Sequence, residues 1–193
     1  FEKAGFKNAV IMKQMPDNAD WDPADVRYNV IRWVSSDLGY AIGPSFINPR
    51  TGQILRGDIT IDYGLFTGSV FDDETYQSFN APKISYGTRH ANCNMGSMLK
   101  SMQMSALTMV EALDADDEEL TNLKSQFLTF LVLHEMGHTM GLNHNMKASH
   151  MLSPKELSNK EITRMMGVTG SCMDYPIANM TSDRTQQGDY YTT

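Results

Sequence analysis

The sequence predicts one domain of the α/β (α+β) class, and three observations predict it. Short apolar or alternating runs at residues 8–13, 25–34 and 58–63 read as strands. Met95 to Leu113 carries apolar residues at helical spacing, and a second, more apolar helix follows it to about Met140.

Phe1-Glu2-Lys3-Ala4-Gly5 reads as the last turn of a helix closed by Gly5. Asn8 to Lys13 is a short apolar run that predicts a buried strand, closed by the turn Met15-Pro16-Asp17-Asn18. From Asp25 to Val34, residues Val26, Tyr28, Val30 and Val34 alternate with Arg27, Asn29, Ile31 and Trp33, the pattern of a strand covered on both faces. The turn residues Asn48-Pro49-Arg50-Thr51-Gly52 precede a third strand, in which Asp58, Thr60 and Asp62 alternate with Ile59, Ile61 and Tyr63. No period dominates Gly64 to Asn94, which reads as a long loop region.

Met95, Met98, Met102, Ala106, Met109 and Leu113 form a stripe that predicts a helix face packed into the core. The acidic run Asp114 to Glu119 suits the first turn of the next helix, where unpaired N–H groups favour negative charge. Leu120, Leu123, Phe127, Phe130, Leu131 and Leu133 predict burial around most of that helix. Thr181 to Thr193 is polar and reads as a mobile tail or linker.

With 193 residues, 41% of them hydrophobic, the chain is long enough for one sizeable core. A net charge of -7 excludes a partner bound through phosphate charge, so no nucleic acid is expected. No apolar run reaches the roughly 20 residues of a membrane span. Cys93 and Cys172 are too few for a disulfide framework or a four-cysteine zinc module, and whether they pair is left open.

The chemistry concentrates in His134-Glu135-Met136-Gly137-His138-Thr139-Met140-Gly141-Leu142-Asn143-His144. His134 and His138, four residues apart on a helix, project from one face and can converge on one ion. Glu135 lies about 100° further round, placed to reach a metal-bound water rather than the metal, and is the candidate general base. Gly141 can adopt the left-handed conformation that ends a helix, so the chain turns back and brings His144 to the same ion. Three imidazoles with a fourth position left to water describe a catalytic Zn2+ site rather than a structural one.

This stretch resembles the metzincin clan of zinc endopeptidases, matching H-E-x-x-H-x-x-G-x-x-H at every fixed position. Ser171-Cys172-Met173-Asp174-Tyr175-Pro176 resembles the clan's downstream Met-turn, which implies Met173 as a polarizable floor beneath the histidines. Further pieces, among them Phe1 to Phe6, Asp25-Val26-Arg27-Tyr28, the Asn48 to Ile54 turn and His144 to Ser149, resemble large bacterial secreted members with flanking domains. Asn145 departs from the Ser, Asp, Glu or Pro of the familiar subfamilies.

The resemblance implies a small twisted mixed sheet packed on a backing helix and a long zinc-binding helix. An N-terminal subdomain of about residues 1–144 would be followed by a C-terminal one of about 145–193 carrying the Met-turn. It implies further that the chain is the catalytic domain of a longer, extracytoplasmic protein with a polypeptide substrate. Tyr175 matches a tyrosine that in astacins and serralysins ligates zinc or stabilises the oxyanion; the other reading is a rim tyrosine bonded to backbone. The strand Asp58, Ile59, Thr60, Ile61, with Gly64 after it, resembles the edge strand that pairs with extended substrate.

His90 and His150 read as solvated loop histidines, and Asp72-Asp73-Glu74 as a solvated acidic turn rather than a calcium site. The expected activity is peptide-bond hydrolysis by a water whose pKa zinc lowers to about 7, with Glu135 moving its proton. The alternatives are a catalytically weak binding module for peptides or glycoproteins and a zinc hydrolase of a non-peptide amide.

Overall fold

The computed structural model describes residues 1–35, 41–63, 116–181 and 183–192. The expected helix at Met95 to Leu113, the long loop before it, Gly64, Asp72 to Glu74, His90 and Cys93 lie outside the described residues.

Among the described residues four strands form a mixed sheet: β1 (Val30–Val34), β2 (Ala41–Ile42), β3 (Ser45–Ile47) and β4 (Ile54–Asp62). β4 is central. β1 runs parallel to it, pairing Val30 with Asp58 through to Val34 with Asp62, and on its other side β2 and β3 run antiparallel. Among the described residues three α-helices follow: α1 (Asp117–Thr139), α2 (Pro154–Leu157) and α3 (Lys160–Met166). No helix among the described residues is long and apolar enough to cross a membrane.

The long helix is the expected one. Asp116 caps it by accepting from the Glu119 N–H at 2.8 Å, with Asp117, Glu118 and Glu119 in the first turn. It packs Leu123, Phe127, Phe130 and Leu131 into one core cluster with Ile59 and Ile61 of β4, and His134 and Glu135 are buried further along it. Leu133 is 41% exposed, so the helix is less enclosed than its apolar sequence predicts.

Three expectations are corrected. The Asn8 to Lys13 run is not a strand; Val10, Ile11 and Met12 are exposed and find no sheet partner among the described residues. The strand expected from Asp25 begins only at Val30, because Asp22 and Asp25 accept bonds from the N–H groups of Ala24 and Arg27 and fold the entry into turns. The tail is not a free linker. Tyr190 and Tyr191 are buried in the core, Tyr191 lying edge-on to Phe127 at 5.3 Å between ring centroids. Gln126 of α1 accepts from both their N–H groups, at 2.7 and 3.0 Å, and Tyr190 donates its hydroxyl to Glu119. Two aromatic side chains outweigh the polarity of the residues around them.

Candidate metal centre

The last turn of α1 ends as its sequence requires. Gly141 has φ +84°, its N–H bonds to the His138 carbonyl, and the Leu142 N–H bonds to the Gly137 carbonyl, the paired contacts of a Schellman cap. The reversal carries His144 back beside the helix.

The three histidine side chains converge through their Nε2 atoms. His138 Nε2 stands 3.2 Å from His134 Nε2 and 3.0 Å from His144 Nε2. The Nδ1 atoms of His134 and His138 face backbone carbonyls, those of Cys172 at 2.7 Å and Leu142 at 3.1 Å. A carbonyl oxygen only accepts, so each Nδ1 carries the proton and each Nε2 presents a lone pair. Lone pairs this close repel unless a cation lies between them. Two nitrogens bound to a tetrahedral zinc at 2.0–2.1 Å would stand about 3.4 Å apart, near the observed spacings. The donor set fits a zinc ion, and the three residues form a group able to hold a metal.

Burial pushes the His134 imidazole down to about 4, against the opposing effect of the Cys172 bond, with the neighbouring His138 and His144 adding to the fall. His144 is lowered for the same reasons, burial first and His138 second. His134 therefore stays in the neutral, metal-binding form well below pH 7, and His144 is shifted in the same direction.

Glu135 is 4% exposed. Desolvation pushes its carboxyl up to about 7, moderated by a bond from the Gly43 backbone N–H. Gly43, between β2 and β3, presses on the helix so closely that a Cβ there would lie 2.3 Å from the Glu135 carbonyl oxygen. Only glycine permits that approach.

Met173 is buried at 3% exposure, its sulfur against Gly137 in the turn between His134 and His138. Its segment is tied to the histidines twice, by the Cys172 carbonyl at His134 and by the Asn145 N–H, which donates to the Met173 carbonyl at 2.7 Å. The Tyr175 hydroxyl lies 2.7 Å from His144 Nε2, which brings the phenol into the cluster.

The expected substrate strand lies inside the sheet rather than at its edge. Asp58, Ile59 and Ile61 are buried, Thr60 is half-buried, and β4 is hydrogen-bonded on both sides. Asp58 is engaged by Arg32 and Arg56, each at 2.8 Å. Alternation identifies a strand with two different faces but not its place in the sheet. Among the described residues the open edge beside Glu135 belongs to β2 and β3. His150 is exposed in a short turn at Ala148–His150, away from any metal-binding group among the described residues. Sequence reasoning missed Gly43, Gly137 and Asp174; the signal for Gly137 was a glycine inside an otherwise apolar helix.

A family model described as Met-zincin matches residues 116–193, the part of the chain holding α1, the three histidines and Met173. The match supports a metzincin-type family. No curated protein and no solved structure matches the chain.

Proposed function

We propose that this chain is the catalytic domain of a zinc-dependent endopeptidase, with His134, His138 and His144 holding the ion and Glu135 as general base and acid. The observation that carries it is the convergence of three histidine Nε2 atoms one residue away from a buried carboxylate whose proton affinity is raised by burial. The Met-zincin match over the same residues supports it.

When bound, zinc supplies a Lewis acid that acidifies water and polarises the scissile carbonyl. Glu135 takes the proton of the attacking water on its carboxylate and delivers it to the leaving amine nitrogen. Burial raises the proton affinity of this carboxyl, which favours its role as a proton carrier. The Gly43 N–H fixes the carboxylate, so the proton acceptor does not have to be oriented during the reaction. Tyr175 offers its hydroxyl as a donor to oxyanion charge. Met173 fills the space under Gly137 and keeps the helix turn bearing both histidines in one position.

Extended polypeptide would add to the sheet along β2 and β3, the edge that adjoins Glu135 through Gly43. Ile42, Phe46 and Ile47 are about half exposed there and offer apolar contact.

Incubating the zinc-loaded chain with a denatured protein and sequencing the products by mass spectrometry tests the reading. New internal N-termini are expected. Loss of acyl groups from side chains or sugars with the backbone intact would instead identify a non-peptide amide as the substrate.

A further inference from the structure

Tyr175 reaches the histidine cluster between Met173, whose carbonyl accepts from the Asn145 N–H, and Ile177, which is 66% exposed. The nearest anchor is Asp174, which is 2% exposed and bonded through both carboxylate oxygens. Oδ1 accepts from the Tyr175 backbone N–H at 2.8 Å, at the root of the tyrosine side chain. Oδ2 accepts from the Thr169 hydroxyl at 3.1 Å and from the Ser149 hydroxyl. Ser149 follows His144 by five residues, and Thr169 precedes the turn, so one carboxylate joins three stretches of chain around the cluster. A buried carboxylate is retained only when its oxygens are supplied with donors, and here three donors converge on it.

We propose that Asp174 is a positioning residue: by bonding Tyr175, Ser149 and Thr169 together it holds the Tyr175 hydroxyl on the histidine cluster. This rests on the reading of the cluster as a zinc site. Alanine removes all three acceptor contacts and frees the backbone of Tyr175. Asparagine keeps the shape and the Oδ1 bond, while the two hydroxyls can rotate to accept from its amide instead.

The test uses the chain loaded with copper(II), whose coordination by a phenolate gives a charge-transfer absorption, and the same chain loaded with zinc for peptide turnover. The variants are Asp174→Ala, Asp174→Asn, Tyr175→Phe and the Asp174→Ala/Tyr175→Phe pair. The absorption per bound copper should disappear in Asp174→Ala and Tyr175→Phe and persist in Asp174→Asn. With zinc, Asp174→Ala should lower kcat between about 10- and 100-fold with KM within about twofold, as expected for misplacing a group that acts in the transition state. In the Tyr175→Phe background it should change kcat no further.

Unchanged absorption in Asp174→Ala, or an equal loss of kcat in the Tyr175→Phe background, overturns the proposal, as does a parent that binds copper without the absorption. If Asp174→Ala does not fold, the Ser149→Ala/Thr169→Val pair removes two of the three contacts, those that hold Asp174 itself in place, and is read the same way. A parent that binds neither metal overturns the zinc reading itself, a failure distinct from metal bound with an unaltered spectrum.

Discussion

The sulfur of Met173 occupies the space over Gly137: a methyl group on Gly137 would stand 2.2 Å from Met173 Sδ. The contact sits between His134 and His138, so the floor of the cluster and the spacing of two of its histidines are set together. Replacing a helical glycine with alanine ordinarily gains about 1 kcal/mol. Here Met173 is 3% exposed and has to shift within a packed interior to make room, and overpacking costs about 1–3 kcal/mol. Gly137→Ala should therefore lower stability in chemical denaturation despite its better helix propensity. Met173→Ala should cost about 2–5 kcal/mol through the cavity it leaves, and Met173→Leu less than about 1.5 kcal/mol.

Gly43 makes the corresponding contact on the substrate side. In Gly43→Ala the Cβ meets the Glu135 backbone, which has no side-chain freedom with which to yield. The strand must then move off the helix and take with it the N–H that Glu135 accepts. Peptidase kcat/KM should fall by about 100-fold or more, while zinc content measured by atomic absorption stays at the parent value, because no histidine is displaced.

The pH dependence of the metal-free protein separates two buried groups of opposite sign. His134 is held at about 4, below its ordinary 6.5, so between these values the unfolded chain binds a proton that the folded one does not. Stability from this group is lost as pH falls from 6.5 toward 4. Glu135 is held at about 7, above its ordinary 4.5, so in that interval the folded chain keeps a proton the unfolded one has released. Stability falls as pH rises from 4.5 to 7. Glu135→Gln removes only the second effect. Denaturation of the metal-free proteins at pH 5 and pH 8 should show the variant gaining on the parent at the higher pH, by on the order of 3 kcal/mol at most. A gap that does not change with pH contradicts the burial of an ionisable Glu135.

The C-terminal segment should prove part of the fold. Gln126→Ala removes the acceptor of the Tyr190 and Tyr191 N–H groups and the amide that donates to Asp189. Leaving buried donors unsatisfied costs about 1–3 kcal/mol each. A loss of about 2–4 kcal/mol is expected, with earlier exchange of the Tyr190 and Tyr191 amide hydrogens.

What was legible in the sequence was local. The acidic first turn of α1, the four-residue spacing of His134 and His138 and the reversal at Gly141 each depend on residues within a turn or two, and all stand in the structure. The non-local features were not legible. The alternation of Asp58 to Tyr63 is the same for a central strand as for an edge strand, since the neighbours that decide it lie at Val30–Val34 and Ala41–Ile47. Tyr190 and Tyr191 sit among polar residues, and only the complementary face of α1 shows that they are core. Asp174 has no pattern to mark it, because its partners Ser149 and Thr169 are distant in sequence and common in type.

The central claim is tested most directly by measuring zinc content and peptide cleavage together for the parent and Glu135→Gln. The predicted result is one zinc per chain in both, with turnover in the parent reduced in the variant by about 100-fold or more, at or beyond the lower end of what general acid–base catalysis contributes. Equal turnover in the two proteins, or a folded parent that binds no zinc, would contradict it.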